Sequence, residues 1–217
     1  MKIVTIASGR EIPDFIEHAL CCSNYRGVTE ANYQLIPSIG RFSNYSRNLE
    51  IHIMHEFRLL ARPHFPDIER SAWEWLFLAQ HYGLPTRLLD WTESPLTALY
   101  FASLGTKQCD FAVYGIERGI YDAYSSNDSP FSISKNFFLI PPHVDRRITA
   151  QCSVFSIHSA PNVPWEHPEL IQFRFSGTRR MDIQNELRML GIMHRTQFPD
   201  VHGVVSDIVH DIDGFCS

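Results

Sequence analysis

One stretch, Gln80–Thr92, constrains this chain more than any other part of it. A helical pattern leads into it from Ser71–Glu74, a capping box in which a hydroxyl and a carboxylate satisfy amides of the first turn. Gly83 and Pro85 then end that helix. Downstream, Ser94–Pro95 opens a second helical pattern. The spacing therefore predicts a helix–loop–helix connection, and a polar loop held at both ends is where functional residues tend to lie.

The composition is that of an ordinary globular protein. The chain has 217 residues, of which 44% are hydrophobic and 20% are charged, enough for one good core. The formal net charge of −5 argues against a protein whose whole surface coats nucleic acid. The five cysteines show no C-x-x-C spacing, so neither a disulfide framework nor a zinc site is predicted. No segment has the pattern of a secretory signal or a membrane span, which predicts a cytoplasmic protein.

Strand and helix patterns alternate along the rest of the chain. Strands are predicted near residues 2–7, 111–116, 136–140, 153–157 and 170–175, and helices near residues 12–20, 48–61, 179–190 and beyond 203. No internal repeat or low-complexity tract divides the chain. The pattern predicts an α+β fold, a single domain over residues 1–217 with a mixed sheet flanked by helices.

Five polar residues would form one site if the fold brought them together. They are three arginines, a histidine and an aspartate: Arg26, Arg41, Arg87, His81 and Asp90. Converging guanidinium groups bind a phosphate or pyrophosphate through paired hydrogen bonds, so a nucleotide is the natural ligand. The structural alternative is that Arg87 pairs with Asp90 to hold the loop closed and that His81 is a helix-end histidine.

Aromatic residues near the same stretch could stack on the base of such a ligand. Three are in place for this: Tyr82, Trp91 and Tyr100. A loop pinned between two helices must anchor itself with apolar side chains, so we expect Trp91 and Leu88 to be buried. His81 and Arg87 are expected to reach the cleft, beside Arg26.

The chain resembles the FRG domain family, named for a Phe/Tyr-Arg-Gly signature. The segments that carry the resemblance are Tyr25–Gly27, Leu35–Ser38 with Arg41, Gln80–Thr92, Ser94–Leu96, Ala98–Ala102, Arg147–Ile148 with Gln151 and Phe155, and Phe198–Asp200 with Gly203. One position departs from the pattern, because Cys152 follows Gln151 where the family has glycine. The resemblance implies a protein of bacterial or phage conflict systems, and it indicates fold better than function.

A weaker resemblance links the chain to ADP-ribosyltransferases, in fold as well as in activity. Those enzymes hold NAD with an arginine or histidine on an early strand and with aromatic residues in mid-chain, as Arg26 and Tyr100 would here. They also use a late acidic residue, for which Glu186 and Asp200 are the candidates. Glu186 belongs to an amphipathic helix pattern, where a solvated position is the simpler explanation.

The resemblances imply a set of site residues. The candidate catalytic residues are Arg26, His81, Asp90 and Glu186. The candidate NAD-binding residues are Tyr25, Arg26, Gly27, Arg41, Gln80, His81, Tyr82, Thr86, Arg87 and Tyr100. No metal-ligand spacing, phosphate-binding P-loop or nucleophile elbow occurs, so no metal is predicted.

Three classes of function fit these features. The first is an NAD-consuming enzyme, either a glycohydrolase or an ADP-ribosyltransferase. The transferase would act on a nucleic-acid or protein acceptor. The second is a non-catalytic module that binds a nucleotide or nucleic acid, which needs the cations and aromatic residues but no acid. The third is a protein-interaction inhibitor, which would instead expose an apolar patch.

Overall fold

A mixed seven-stranded sheet forms the centre of the protein in a computed structural model, which describes residues 1–7, 9–65, 69–117, 121–122, 128–141 and 149–215. The strands are β1 (Lys2–Thr5), β2 (Asn24–Val28), β3 (Leu88–Thr92), β4 (Phe111–Ile116), β5 (Phe137–Leu139), β6 (Ser153–Ile157) and β7 (Leu170–Phe175). Their order across the sheet is β1-β7-β4-β2-β3-β6-β5. The β1–β7 pair is parallel and the other neighbours are antiparallel.

Helices connect and cover these strands. They are α1 (Glu11–Ala19), α2 (Arg47–Ala61), α3 (Ala72–His81), α4 (Pro95–Ser103), α5 (Arg180–Met189), α6 (His194–Gln197) and α7 (Val201–Phe215). The predicted capping box at Ser71 and Glu74 begins α3. The α+β class and the mixed sheet flanked by helices are confirmed. None of the described helices is long and apolar enough to cross a membrane.

Both faces of the sheet are buried, as strand β4 shows. Its alternate residues Phe111 and Val113 join a cluster with α1, α4 and α5, whereas Ala112 and Tyr114 join a second cluster with Trp91. A third cluster packs α3 against β3, β5 and β6. Alternating side chains thus serve two separate cores, which explains why β4 is buried along its whole length.

The helix–loop–helix prediction for Gln80–Thr92 is wrong in its second half, because Leu88–Thr92 is strand β3. This strand pairs with β6 along its whole length, from Leu88 opposite Ile157 to Thr92 opposite Ser153. The stretch is therefore a helix, a turn around Gly83 and Pro85, a strand and a second helix. The partner strand lies more than sixty residues away in sequence, so the local pattern could not indicate the pairing.

Candidate functional site

A cavity opens between β2 and β3, near the middle of the sheet. Each of these strands pairs fully with its outer neighbour, β4 or β6, but between themselves the register shows one pair, Tyr25 with Thr92. Beyond that pair the strands separate, and a cavity of about 390 Å³ lies there with α4 along one side. Its lining residues are Tyr25, Arg26, Gly27, Asp90, Trp91, Thr92, Ala98, Phe101, Gln151, Ser153 and Phe198.

Arg26 spans the gap between the two strands. Its Nη1 donates to the backbone oxygen of Asp90 at 2.5 Å and lies 3.7 Å from the Asp90 carboxylate, and 19% of the side chain is exposed. Desolvation lowers the pKa of the Arg26 guanidinium; the Asp90 carboxylate opposes this shift, and the charge of Arg41 adds to it. Arginine nevertheless stays charged in proteins, so the cavity contains a partly desolvated cation. Arg26 and the Gln80–Thr92 stretch do share one pocket.

Asp90 is held in place from α3. Gln80 donates from Nε2 to both carboxylate oxygens of Asp90, at 2.9 and 3.0 Å. The Gln80 amide oxygen in turn accepts from the Thr86 hydroxyl, whose oxygen also accepts from the amide of Leu88. Gln80 and Thr86 therefore act by positioning Asp90 and do not line the cavity.

Arg41 reaches the neighbourhood of the site through a short 3-10 helix, Ser38–Arg41. The Thr86 amide donates to the Ser38 hydroxyl at 3.1 Å, and the Ile39 amide donates to the Thr86 carbonyl at 3.2 Å. Arg41 is exposed, and its Nε donates to the Ile36 carbonyl. It does not line the cavity, but it is close enough to influence the pKa of Arg26.

Tyr25 and Gly27 both make contacts that stabilise the fold and that do not depend on a ligand. The Tyr25 hydroxyl donates towards the carbonyls of Ala19 and Cys22, and burial raises its pKa to about 12. A Cβ at Gly27 would overlap the Ala98 carbonyl and lie 2.6 Å from the Ala102 amide nitrogen. Close packing of α4 on β2 thus requires glycine at this position, whatever the ligand.

The prediction that Arg87 reaches the cleft is wrong, and so is the alternative that it pairs with Asp90. Arg87 is 1% exposed and forms a two-point ion pair with the buried carboxylate of Glu50, at 2.8 and 2.6 Å. Its Nη1 also lies 3.4 Å from the carbonyls of Pro130 and His158. Arg87 directly precedes strand β3, and its side chain is directed into the buried interior, so it cannot reach the cleft. Arg87 is therefore structural.

Most of the predicted aromatic set does not face the cavity. Trp91 and Leu88 are buried as predicted, and Trp91 contributes part of the wall. Tyr100 is also buried, and its hydroxyl bonds the ring of His194 at 2.7 Å. Tyr82 is exposed beyond the end of α3, edge-on to His81, and neither ring lines the cavity.

Phe101 and Phe198 are the aromatic residues that the prediction missed. Both line the cavity, with ring centroids 5.9 Å apart and planes at 87°. Phe101 follows Tyr100 in the predicted aromatic segment. Because consecutive residues of helix α4 point in different directions, Phe101 faces the cavity and Tyr100 does not. Phe198 comes from the Phe198–Asp200 segment, whose position beside β3 depends on folding of the C-terminal helices. Sequence periodicity gave no signal for either contact.

Neither late acid lines the cavity. Glu186 is half-buried on α5 among charged neighbours that include Arg179. Asp200 accepts from the Gly203 amide at 2.9 Å, in the first turn of α7. Asp90 is the acidic residue among those that line the cavity. The described residues contain no cluster of His, Cys, Asp and Glu that could hold a metal ion.

The turn before β6 completes the wall with Gln151 and Ser153. The Thr92 hydroxyl donates to the Gln151 carbonyl at 2.6 Å, and the Gln151 side chain donates to the Gln197 carbonyl. Between them Cys152 has a φ of 46°, in the left-handed region that favours glycine. The family resemblance implies glycine at this position, and glycine would adopt this backbone conformation without the strain that cysteine bears.

Cys152→Gly is expected to stabilise the protein by up to about 1 kcal/mol. The left-handed conformation costs an L-residue about 1–2 kcal/mol, partly offset by the larger backbone entropy of glycine in the unfolded state. Cys152 is exposed, so the change removes no core packing. Thermal unfolding should show a midpoint a few degrees higher. Cys152→Ala is the control, since it keeps the strain; equal midpoints for the two variants would contradict the explanation.

The fold and cavity define an α+β protein with an arginine in a cleft between two strands of its sheet. Residues 23–110 match the family model of the FRG domain, so the chain carries an FRG domain. This match covers Arg26, Arg41 and Gln80–Thr92 and confirms the resemblance there. Gln151, Phe155 and Phe198 lie beyond it, and Arg147–Ile148 fall outside the described residues. Comparison with the curated proteins and with the solved structures finds no match.

Proposed function

We propose that the cavity between β2 and β3 is a nucleotide-binding site and that NAD is its ligand. The observation that carries this proposal is Arg26. Its Nη1 bonds the Asp90 carbonyl, while Nε and Nη2 have no hydrogen-bond partner among the described residues. A guanidinium shielded from water binds a phosphate more strongly than an exposed one, because the effective dielectric constant is lower. Arg26 therefore supplies a fork of donors for a phosphate.

The size and lining of the cavity suit a nucleotide. Its volume of about 390 Å³ lies within the usual range for small-molecule sites. Phe101 offers an aromatic surface on which a base or nicotinamide ring can stack, and Phe198, whose ring stacks on His194 at 4.5 Å, extends the aromatic wall beside it. Arg41, outside the lining but near Arg26, adds positive charge for a second phosphate. We therefore propose a cationic pocket in which Arg26 and Arg41 supply the positive charge, and in which Phe101 and Phe198 take the stacking role that was predicted for Tyr82, Trp91 and Tyr100.

NAD consumption would require an acid near the nicotinamide ribose, and Asp90 is the candidate. In hydrolysis the bond from nicotinamide nitrogen to the ribose C1′ breaks with its electrons on nicotinamide. Water adds to C1′, and Asp90 would accept the proton that the water loses. Glu186 and His81 lie outside the cavity and are not assigned a role in this step.

A binding module without turnover is the second candidate, and the contacts of Asp90 favour it. Both of its oxygens already accept from Gln80, and Arg26 lies beside it. The oxygens that would have to take up a proton are thus already engaged as hydrogen-bond acceptors. Asp90 would then orient a ribose hydroxyl instead of removing a proton.

Arg26→Ala is expected to weaken NAD binding by roughly tenfold to a hundredfold, because a charge-assisted hydrogen bond contributes about 1.5–3 kcal/mol. Arg26→Lys should recover part of the loss, since it keeps the charge but not the planar fork. Calorimetric titration of both variants measures this, with circular dichroism as the folding control. Incubating the parent protein with NAD and measuring the free nicotinamide that is released distinguishes consumption of NAD from binding alone.

Arg58→Ala is the matched control, because Arg58 is exposed on α2 and does not line the cavity. It should bind NAD as the parent does. If folded Arg26→Ala also binds as the parent does, or if the parent binds no nucleotide, the cavity has a different role.

A further inference from the structure

Helix α7 carries six apolar side chains that the rest of the described structure leaves exposed. They are 46–76% exposed and consist of valines and isoleucines: Val201, Val204, Val205, Ile208, Val209 and Ile212. We call this set the α7 stripe. At 100° per residue all six fall on one side of the helix. The opposite side packs against the protein through Gly203 and Asp207, which are both buried.

Asp207 fixes the orientation of α7. Its carboxylate accepts from the backbone amides of His194 and Arg195 at 3.1 Å and lies 3.3 Å from Arg188 Nη1. A buried charged group with these partners cannot rotate to the surface without losing all of them. The α7 stripe is therefore held outward by the polar contacts on the other side of the helix. A row of uncharged β-branched side chains held in this way is typical of an interface.

We propose that the α7 stripe is a dimer interface in which two copies of the chain pair their α7 helices antiparallel. The stripe is symmetric about its midpoint, between Ser206 and Asp207. Reversing the helix exchanges Val201 with Ile212, Val204 with Val209, and Val205 with Ile208. In an antiparallel two-fold pair each contact occurs twice with the partners exchanged, so this symmetry lets every apolar side chain of the stripe meet another one. The antiparallel pair therefore matches apolar side chains with apolar side chains along its whole length.

The area of the stripe fits a dimer that dissociates on dilution. With roughly 100 Å² of apolar surface for each fully exposed side chain of this size, the stripe offers about 300 Å² per protomer. Since apolar atoms form about 60% of an interface, the pair would bury about 1,000 Å² in total. That is close to the lower limit for a specific association. The dimer should therefore be concentration-dependent.

Light scattering after size-exclusion chromatography of the full chain tests the proposal. The measured mass should rise towards that of two chains as concentration increases. Val205→Asp and Ile208→Asp should each keep the mass of one chain, because a charge would be buried at the centre of the pair. Leu60→Asp is the matched control: Leu60 is 72% exposed on α2, so this variant should still dimerise. A parent that stays monomeric, or a Leu60→Asp effect equal to that of Val205→Asp, would overturn the proposal.

Cross-linking tests the antiparallel arrangement. A short thiol-reactive cross-linker should join Val201→Cys to Ile212→Cys in a mixture of the two variants. Neither variant alone should form more cross-linked dimer than the parent, whose native cysteines supply the background. Cross-linking of Val201→Cys to itself above that background would show parallel helices and would reject the proposed geometry. Circular dichroism confirms that each variant is folded.

Discussion

Arg87→Ala is expected to lower the free energy of unfolding by about 3–5 kcal/mol, the cost of leaving one charge of a buried ion pair without its partner. Glu50 is 1% exposed and receives two hydrogen bonds from Arg87. The alanine variant would bury the Glu50 carboxylate beside a cavity. Urea unfolding followed by tryptophan fluorescence measures the loss.

A double variant separates charge burial from packing. Arg87→Met with Glu50→Leu replaces both charges by apolar side chains of similar length, and such replacements are often neutral or stabilising. The double variant should therefore recover most of the stability lost in Arg87→Ala. A double variant as unstable as Arg87→Ala would show that Arg87 acts through its contacts with the Pro130 and His158 carbonyls.

Lys107→Ala is a control with the same ion-pair distance. Lys107 Nζ lies 2.6 Å from Glu30, equal to the shorter Arg87–Glu50 distance, but the Lys107 side chain is 70% exposed. Exposed pairs contribute little because water and salt screen them. The unfolding midpoint of Lys107→Ala should stay close to that of the parent. A large shift would mean that burial is not what distinguishes the two pairs.

Local signals in the sequence were sufficient for most elements of the fold. Capping at Ser71 and Ser94 and the alternation in Leu170–Phe175 depend on neighbouring residues, so they can be recognised without knowing the fold. The strand order could not be predicted. The parallel pair joins β1 to β7 across almost the whole chain, and no local pattern encodes a partner at that distance.

The candidate site was predictable only in part, and the part that succeeded came from the family signature, because Arg26 and Asp90 are 64 residues apart in sequence. Arg26 and Asp90 do lie together. Arg87 does not join them, because its side chain points away from that of Asp90 and pairs with Glu50 instead. In the sequence, Arg87 and the residues of β3 that follow it resemble a loop. Their structure becomes clear only once the pairing of β3 with β6 is known. Phe198 was missed for the related reason that its contact with Phe101 is tertiary.

Trp91 links the wall of the cavity to a buried polar network. Its Nε1 donates to the Ser156 hydroxyl at 2.8 Å, and this hydroxyl lies 2.9 Å from Nε2 of the buried His158. The Ser156 hydroxyl thus accepts from Trp91 and shares a second hydrogen bond with the His158 ring, whose Nδ1 is buried without a hydrogen-bond partner among the described residues. Burial and the charges of Arg26 and Arg87 lower the pKa of His158 to about 3, so the ring is neutral.

Trp91→Ala is expected to cost about 3–5 kcal/mol of stability, the range for a large buried aromatic side chain. Trp91 is 2% exposed and packs edge-on against Phe138 and Trp165, with ring centroids 5.2 and 5.8 Å away. The alanine variant loses this packing as well as the hydrogen bond to Ser156. Urea unfolding gives the magnitude, and an unfolding midpoint equal to that of the parent would show that the indole is not a core residue.

Trp91→Phe distinguishes the two parts of that cost. It keeps most of the apolar volume but removes the N–H donor, so the expected loss is about 1–2 kcal/mol, the cost of one unsatisfied buried partner. Because Trp91 also lines the cavity, NAD titration of this folded variant tests its second role. Parent-like affinity would place Trp91 in the scaffold that supports the site. A clear loss of affinity without further loss of stability would instead mean that the indole contacts the ligand directly.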